Sequence, residues 1–111
     1  LEELGKHYLC EVFGCDSDIL NDETNLVLLI EHAINRAGAT LLNIASHKFE
    51  PQGVTIVALL SESHISIHTW PENGSAAIDV FTCGNAKPEL AINFLIDELN
   101  PTKYNKSFVQ R

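Results

Sequence analysis

Between Ala39 and Cys83 the chain contains four β-rich runs separated by short polar breaks. The runs are 39-ATLLNIASHKF-49, 54-VTIVALL-60, 64-HISIHTW-70 and 75-SAAIDVFTC-83. Glu50-Pro51-Gln52-Gly53 and Pro71-Glu72-Asn73-Gly74 read as turns, because Pro fixes φ, Gly supplies positive φ, and Asn and Glu accept exposure. Strands joined by turns this tight pair antiparallel, since a parallel connection needs a crossover of a dozen residues or more. No other feature narrows the possible folds as much.

The flanks supply the remaining elements. Residues 6-KHYLCEVF-13 read as a strand with Tyr8, Cys10 and Val12 on one face and Leu9, Glu11 and Phe13 on the other. Residues 14–24 read as loop, with Asn21, Asp22 or Thr24 available to cap a helix. In that helix Leu26, Leu29, Ile30, Ala33, Ile34 and Ala37 recur at helical spacing, and Gly38 is a stop. Pro88 opens a second helix, with Leu90, Ile92, Leu95, Ile96 and Leu99 as its stripe, and Pro101 ends it. The tail 103–111 reads as a last short strand. The order β-α-β-β-β-β-α-β predicts an α+β two-layer sandwich, an antiparallel sheet with two helices on one face. The other face is left for solvent or a partner.

A length of 111 residues fits one domain, 1–111. A domain this small buries a modest fraction of its surface, so association as a dimer is expected. Fifteen acidic against seven basic residues give a formal charge of −8, which argues against nucleic acid, whose phosphates need a basic face. Cys10, Cys15 and Cys83 form no disulfide framework, and a reducing cytoplasm is the expected location. The sequence does not open on a basic segment followed by an apolar run, and its apolar runs are too short to span a bilayer, so neither a signal peptide nor a membrane partner is expected.

The reactive residues concentrate in 61-SESHISIHTWPENGSAAIDVFTCG-84. His64 and His68 are four apart on a strand, about 13 Å. Zinc needs each ligand nitrogen at about 2 Å, so the two cannot share an ion. His7, His32 and His47 show no ligand spacing, and no metal is expected. Cys83 precedes Gly84 at a strand end, where a thiol is either accessible or a small buried hydrophobe. There is no nucleophile elbow and no phosphate-cradling glycine loop.

Taken together, Ser61-Glu62-Ser63-His64, His68-Thr69-Trp70-Pro71-Glu72, Ala76-Ala77-Ile78-Asp79 and Phe81-Thr82-Cys83-Gly84 resemble the small prokaryotic S-adenosylmethionine decarboxylases. Gly5-Lys6-His7, Glu11, Gly38-Ala39-Thr40 and His47-Lys48-Phe49 extend the resemblance upstream. It implies an enzyme that makes its own pyruvoyl cofactor, with no metal and no pyridoxal phosphate. The Ser63 hydroxyl attacks the Glu62 carbonyl to form an ester. Elimination and hydrolysis then leave a β chain, 1–62, and an α chain, 63–111, whose first residue carries a ketone. That ketone forms a Schiff base with the substrate amine and accepts the electrons left by CO₂, the role of an electron sink.

The resemblance also implies roles. His68 handles protons during self-cleavage. Thr55 stands where a serine hydroxyl that stabilises the tetrahedral intermediate is expected, and its added methyl bears on the cleavage rate. Cys83 returns a proton to the substrate carbon. Glu72 receives the ribose hydroxyls, Phe49 stacks on adenine near the sulfonium, and Glu11 belongs to the active-site region. His64, Trp70 and Pro71 read as structural.

One constraint comes from the residues themselves. In one extended strand Ser63 and His68 are about 16 Å apart and face opposite sides. Proton transfer needs heavy atoms within about 3.2 Å, or one bridging water. Either the strand begins after a sharp turn at Ser63, or His68 comes from a second copy. The expected assembly is a homodimer with shared sites: Ser63, Cys83 and Glu11 from one protomer, and Phe49, Thr55, His68 and Glu72 from the other. Two rival readings remain: a pyruvoyl-dependent arginine or ornithine decarboxylase, and an uncleaved relative that binds ligand or regulates a partner.

Overall fold

The structure is a computed structural model, and it describes residues 3–111. Strands β1 (Lys6–Phe13), β2 (Leu41–Lys48), β3 (Val54–Leu60), β4 (Ser63–Trp70), β5 (Ser75–Thr82) and β6 (Lys103–Gln110) form one sheet in the order β2-β3-β4-β5-β1-β6. Every neighbouring pair is antiparallel. Helices α2 (Glu23–Ala37) and α3 (Pro88–Leu99) pack on each other and on the sheet. This is the expected α+β sandwich.

Alternation along β3, β4 and β5 sends every second side chain into the core. Val54, Ile56, Ala58 and Leu60 of β3, Ile65 and Ile67 of β4, and Ala76, Ile78 and Val80 of β5 are buried. They meet Leu26, Ile30, Ala33 and Ile34 of α2 and Ala91, Ile92, Leu95 and Leu99 of α3. Leu9, Val57, Leu59 and Trp70, on the opposite face, are at least one-third exposed.

The helix ends follow local chemistry. Asp22 caps α2, its carboxylate accepting from Asn25 N at 3.0 Å. Gly38 closes it in the left-handed conformation at φ +73°. Pro88 opens α3, and Asn100 ends it, also left-handed, just before Pro101. Sequence periodicity missed one element. Ser17–Leu20 form a single helical turn, α1, capped by Asp16. Four residues are too few to show a period, yet Leu20 is fully buried.

The buried Thr69 ties α1 to the sheet. Its hydroxyl accepts from Val54 N at 2.9 Å and donates to Leu20 O at 2.7 Å. Replacing Thr69 with Val keeps the volume and strands both partners. Leaving buried polar groups unpaired costs about 1–3 kcal/mol. Urea unfolding of Thr69→Val is expected to show a loss of that size with an unchanged m-value.

Candidate active site

The reactive residues lie at two separate places on the sheet. The first is the hairpin between β3 and β4. Leu60 pairs with Ser63, so only Ser61 and Glu62 make the turn. Glu62 sits at φ +60°, one of two non-glycine residues with positive φ among those described. A side chain there costs on the order of 1 kcal/mol or more. Ser63 follows as the first residue of β4 and is 92 % buried, its side chain on the helix-covered face with Ile65 and Ile67.

Cys83, just past the end of β5, meets this turn. Its Sγ donates to the Glu62 main-chain carbonyl at 2.9 Å and lies 3.6 Å from Glu62 Oε1. A thiol thus sits on the carbonyl that precedes Ser63. The other two cysteines are withdrawn from chemistry. Burial first, then the nearby Glu11 charge, pushes the Cys10 thiol up to about 11, and burial raises Cys15. Cys83 is the half-exposed one. Beside it Gly5, Lys6, Thr82, Cys83 and Asn85 line a cleft of about 270 Å³.

The second place is a cleft of about 370 Å³ near the other end of β3 and β4. Phe49, Gly53, Thr55, His68, Trp70 and Glu72 line it. The β2–β3 turn shapes one wall. Phe49 N donates to Gly53 O at 2.8 Å, and Gly53 N donates to the Asn21 side chain at 2.9 Å. At φ +110°, with the Thr69 carbonyl 3.3 Å from where a Cβ would lie, position 53 suits glycine. His47 packs edge-on against Phe49, ring centroids 4.6 Å apart. Glu72 stands on a 3₁₀ turn, Pro71–Asn73, at the end of β4. Thr55 and His68 are direct cross-strand partners, with Thr55 Oγ1 3.0 Å from His68 Nδ1.

Between the two places, on the open face, lies a polar cluster. The Asp79 carboxylate takes hydrogen bonds from His7 Nε2 at 2.7 Å, from His64 Nε2 at 2.8 Å, and from Ser66 Oγ. Burial opposes its ionisation, but these three donors outweigh burial and hold the carboxyl below its usual range. Arg111 Nη1 approaches His7 Nδ1 at 3.2 Å. A guanidinium only donates, so Nδ1 accepts and the His7 proton sits on Nε2, facing Asp79. A metal at this cluster would need that Nε2 lone pair, so the arrangement reads as a hydrogen-bonded clamp.

A family model described as S-adenosylmethionine decarboxylase matches residues 6–111. The chain belongs to the S-adenosylmethionine decarboxylase family. It is 55 % identical over 109 residues to an S-adenosylmethionine decarboxylase proenzyme of Prochlorococcus marinus (strain MIT 9313), covering 97 % of this chain and 87 % of that protein. A proenzyme of the same name from Methanococcus aeolicus is 49 % identical over 112 residues, covering 100 % and 96 %. The crystal structure of the adenosylmethionine decarboxylase from Aquifex aeolicus VF5 superposes with a TM-score of 0.94 at 38 % identity, covering 100 % of this chain and 92 % of that one. The Trypanosoma brucei AdoMetDC-delta26 monomer shares the fold, with a TM-score of 0.69 at 14 % identity, covering 91 % and 44 %.

Within this family member, most of the residues expected from sequence fall into two groups. Glu62, Ser63 and Cys83 gather at the hairpin, while Phe49, Thr55, His68 and Glu72 share the larger cleft. Glu11 departs from the expected grouping. It pairs with Ala77, which pairs with His68, so it lies two strands from His68 in a shared depression. It lies about 17 Å along β1 from the Ser63 end, set by five residues of strand rise. Trp70, read as structural, lines the larger cleft, and His64, read likewise, belongs to the Asp79 clamp. Both were within reach of alternation, which places them on the open face, but only the strand register shows what they meet.

Asp79 gives a pH test. Its carboxyl is depressed in the folded state, so its contribution is present above the ordinary carboxylate range and is lost as pH falls through the folded value. Asp79→Asn is expected to be less stable than the parent near neutral pH. The gap should hold from about pH 6 to about pH 4 and narrow from there towards about pH 2. Denaturant midpoints of both proteins across that range check it.

Proposed function

We propose that the chain is the precursor of a pyruvoyl-dependent decarboxylase that cuts itself between Glu62 and Ser63 and then removes CO₂ from S-adenosylmethionine, leaving the aminopropyl donor used to make spermidine. The carrying observation is the Cys83 thiol on the Glu62 carbonyl, at a strained two-residue turn next to Ser63. The relatives described above are named for S-adenosylmethionine, which favours this substrate over arginine or ornithine.

Self-cleavage needs the Ser63 oxygen to add to the Glu62 carbonyl carbon. The negative charge then develops on the carbonyl oxygen, where the Cys83 S–H already points. The left-handed Glu62 stores strain that opening the turn releases. Glu62 keeps the serine oxygen as a carboxylate, and residue 63 becomes the ketone after water replaces its nitrogen as ammonia. The ketone can condense with an amine and take up the electron pair freed with CO₂. Cys83 remains beside that position as a proton donor to the substrate carbon. In the larger cleft Phe49 offers an aromatic face to adenine and to the sulfonium charge, and Glu72 accepts from the ribose hydroxyls. Neither role calls for a bound metal or pyridoxal phosphate.

The two groups of residues cannot act together within one copy. β4 is continuous from Ser63 to His68, and the two side chains face opposite sides of the sheet. The turn before Ser63 does not shorten that distance. A symmetric homodimer resolves it, with Ser63 and Cys83 from one protomer and Phe49, Thr55, His68 and Glu72 from the other. One two-fold interface then builds both sites. Leu9, Val57, Leu59, Trp70 and Val109 leave apolar surface exposed that such an interface would cover.

Intact mass under denaturing conditions tests cleavage: two species splitting at Glu62–Ser63, the second with a keto terminus, are expected, and a single full-length species from folded protein rejects the reading. Complementation tests the shared site. His68→Ala and Ser63→Ala chains folded together should cleave only the His68→Ala chain, and verified mixed dimers with no cleavage exclude the arrangement.

A further inference from the structure

Thr82 is an anomaly in an otherwise well-satisfied core. It is 1 % exposed, and its Oγ1 is the one buried side-chain polar atom among the described residues with no hydrogen-bond partner. An unpaired buried hydroxyl destabilises the fold. Such groups call for an explanation. Thr69, another buried threonine on the same face, makes hydrogen bonds with three main-chain groups, so the fold can satisfy a hydroxyl there.

The register shows what Thr82 faces. His64 pairs with Phe81 across β4 and β5, and one step beyond Ser63 the Cys83 thiol meets the Glu62 carbonyl. Both contacts follow one antiparallel register, and the position between them sets Ser63 opposite Thr82. Both side chains point to the helix-covered face, Ser63 in alternation with Ile65 and Thr82 with Val80. Same-face partners on adjacent strands have Cβ atoms about 4.5–5.5 Å apart, a span that two hydroxyls bridge by rotation about χ1.

We infer that the Thr82 hydroxyl is a working part of the self-cleavage site, held without a partner so that it is free for the Ser63 oxygen. The inference deepens the processing reading above and rests on it. As Ser63 Oγ turns toward the Glu62 carbon, Thr82 Oγ1 accepts the Ser63 O–H and aims an Oγ lone pair at that carbon. The Oγ–C bond forms, the Glu62–Ser63 C–N bond breaks, and the proton that leaves Ser63 Oγ ends on the departing nitrogen, giving the ester and a free amine on residue 63. In the elimination, a base removes the residue 63 α-proton and the Cβ–Oγ bond breaks. The departing oxygen stays with Glu62 as carboxylate and takes a hydrogen bond from the Thr82 O–H. Thr82 neither gains nor loses a proton overall. Cys83 serves the carbonyl oxygen while Thr82 serves the attacking and leaving oxygen, so the two oxygens that change charge have adjacent donors from one stretch of chain.

The experiment follows cleavage of freshly translated precursor by mass spectrometry, comparing wild type with Thr82→Val, Thr82→Ser and Thr82→Ala. Losing a preorganised donor slows a reaction by about 10²–10³. Because Thr82 must first rotate, Thr82→Val is expected to cleave at least about tenfold more slowly. Its thermal midpoint, read in an uncleavable Ser63→Ala background, should be unchanged or higher, because an unpaired buried hydroxyl has been removed. Ser and Ala lack the threonine methyl alike and differ in the hydroxyl, so Thr82→Ser should cleave at least about tenfold faster than Thr82→Ala. Equal rates for Ser and Ala, or a wild-type rate for Val, would overturn the inference and leave the parent reading intact. A wild-type precursor that folds and never cleaves would remove the ground of both.

Discussion

The register of β4 against β3 and β5 is the constraint on which the site depends. Antiparallel pairing of His64 with Phe81 carries Glu62 to Cys83, and pairing of Leu60 with Ser63 leaves two residues for the turn. The same ladders bring His68 to Thr55 and set Asp79 beside His64 and Ser66. A slip of one residue would send every β4 side chain to the other face. Ser63 would leave the core side, the isoleucines would face out, and no reactive pair would survive. The apolar alternation that builds the core therefore also fixes the chemistry. A position such as Ile65 holds the register because its burial penalises any other one.

A second constraint is sidedness. The helices cover one face, so the other carries polar groups without a lid of its own. Cys83 and Ser63 lie at one end and the Thr55–His68 pair near the other. A chain of this size cannot fold its sheet back to join them. The homodimer proposed above would turn one separated pair of half-sites into two complete ones. The Asp79 clamp lies on this open face between the half-sites, and its histidine protons are oriented by Arg111 and the carboxylate.

The architecture was legible in the sequence because its signals were local. Tight turns forced antiparallel pairing, and the two helical stripes had enough length to show a period. The candidate site residues were legible as candidates through a family resemblance. What each touches was not. α1 has four residues and no period. The His7–His64–Asp79 clamp draws on three strands, one from a distant part of the chain, and needs the β1–β5 pairing that no local pattern reveals. Glu11 shows the same gap, since membership of the active-site region does not say which end it joins. Thr82 passed as an ordinary strand residue because an unsatisfied hydroxyl is visible only once its surroundings are known.

The strand order has a mechanical consequence. A cut after Glu62 puts β1, β2 and β3 on one product and β4, β5 and β6 on the other. In the sheet the two sets interdigitate, and β1 lies between β5 and β6. Of the five ladders, β3–β4, β5–β1 and β1–β6 each join one product to the other. The severed molecule is laced together and can come apart only by melting its sheet. The nick therefore has to follow folding, and it changes the number of chain ends without giving either piece an independent existence.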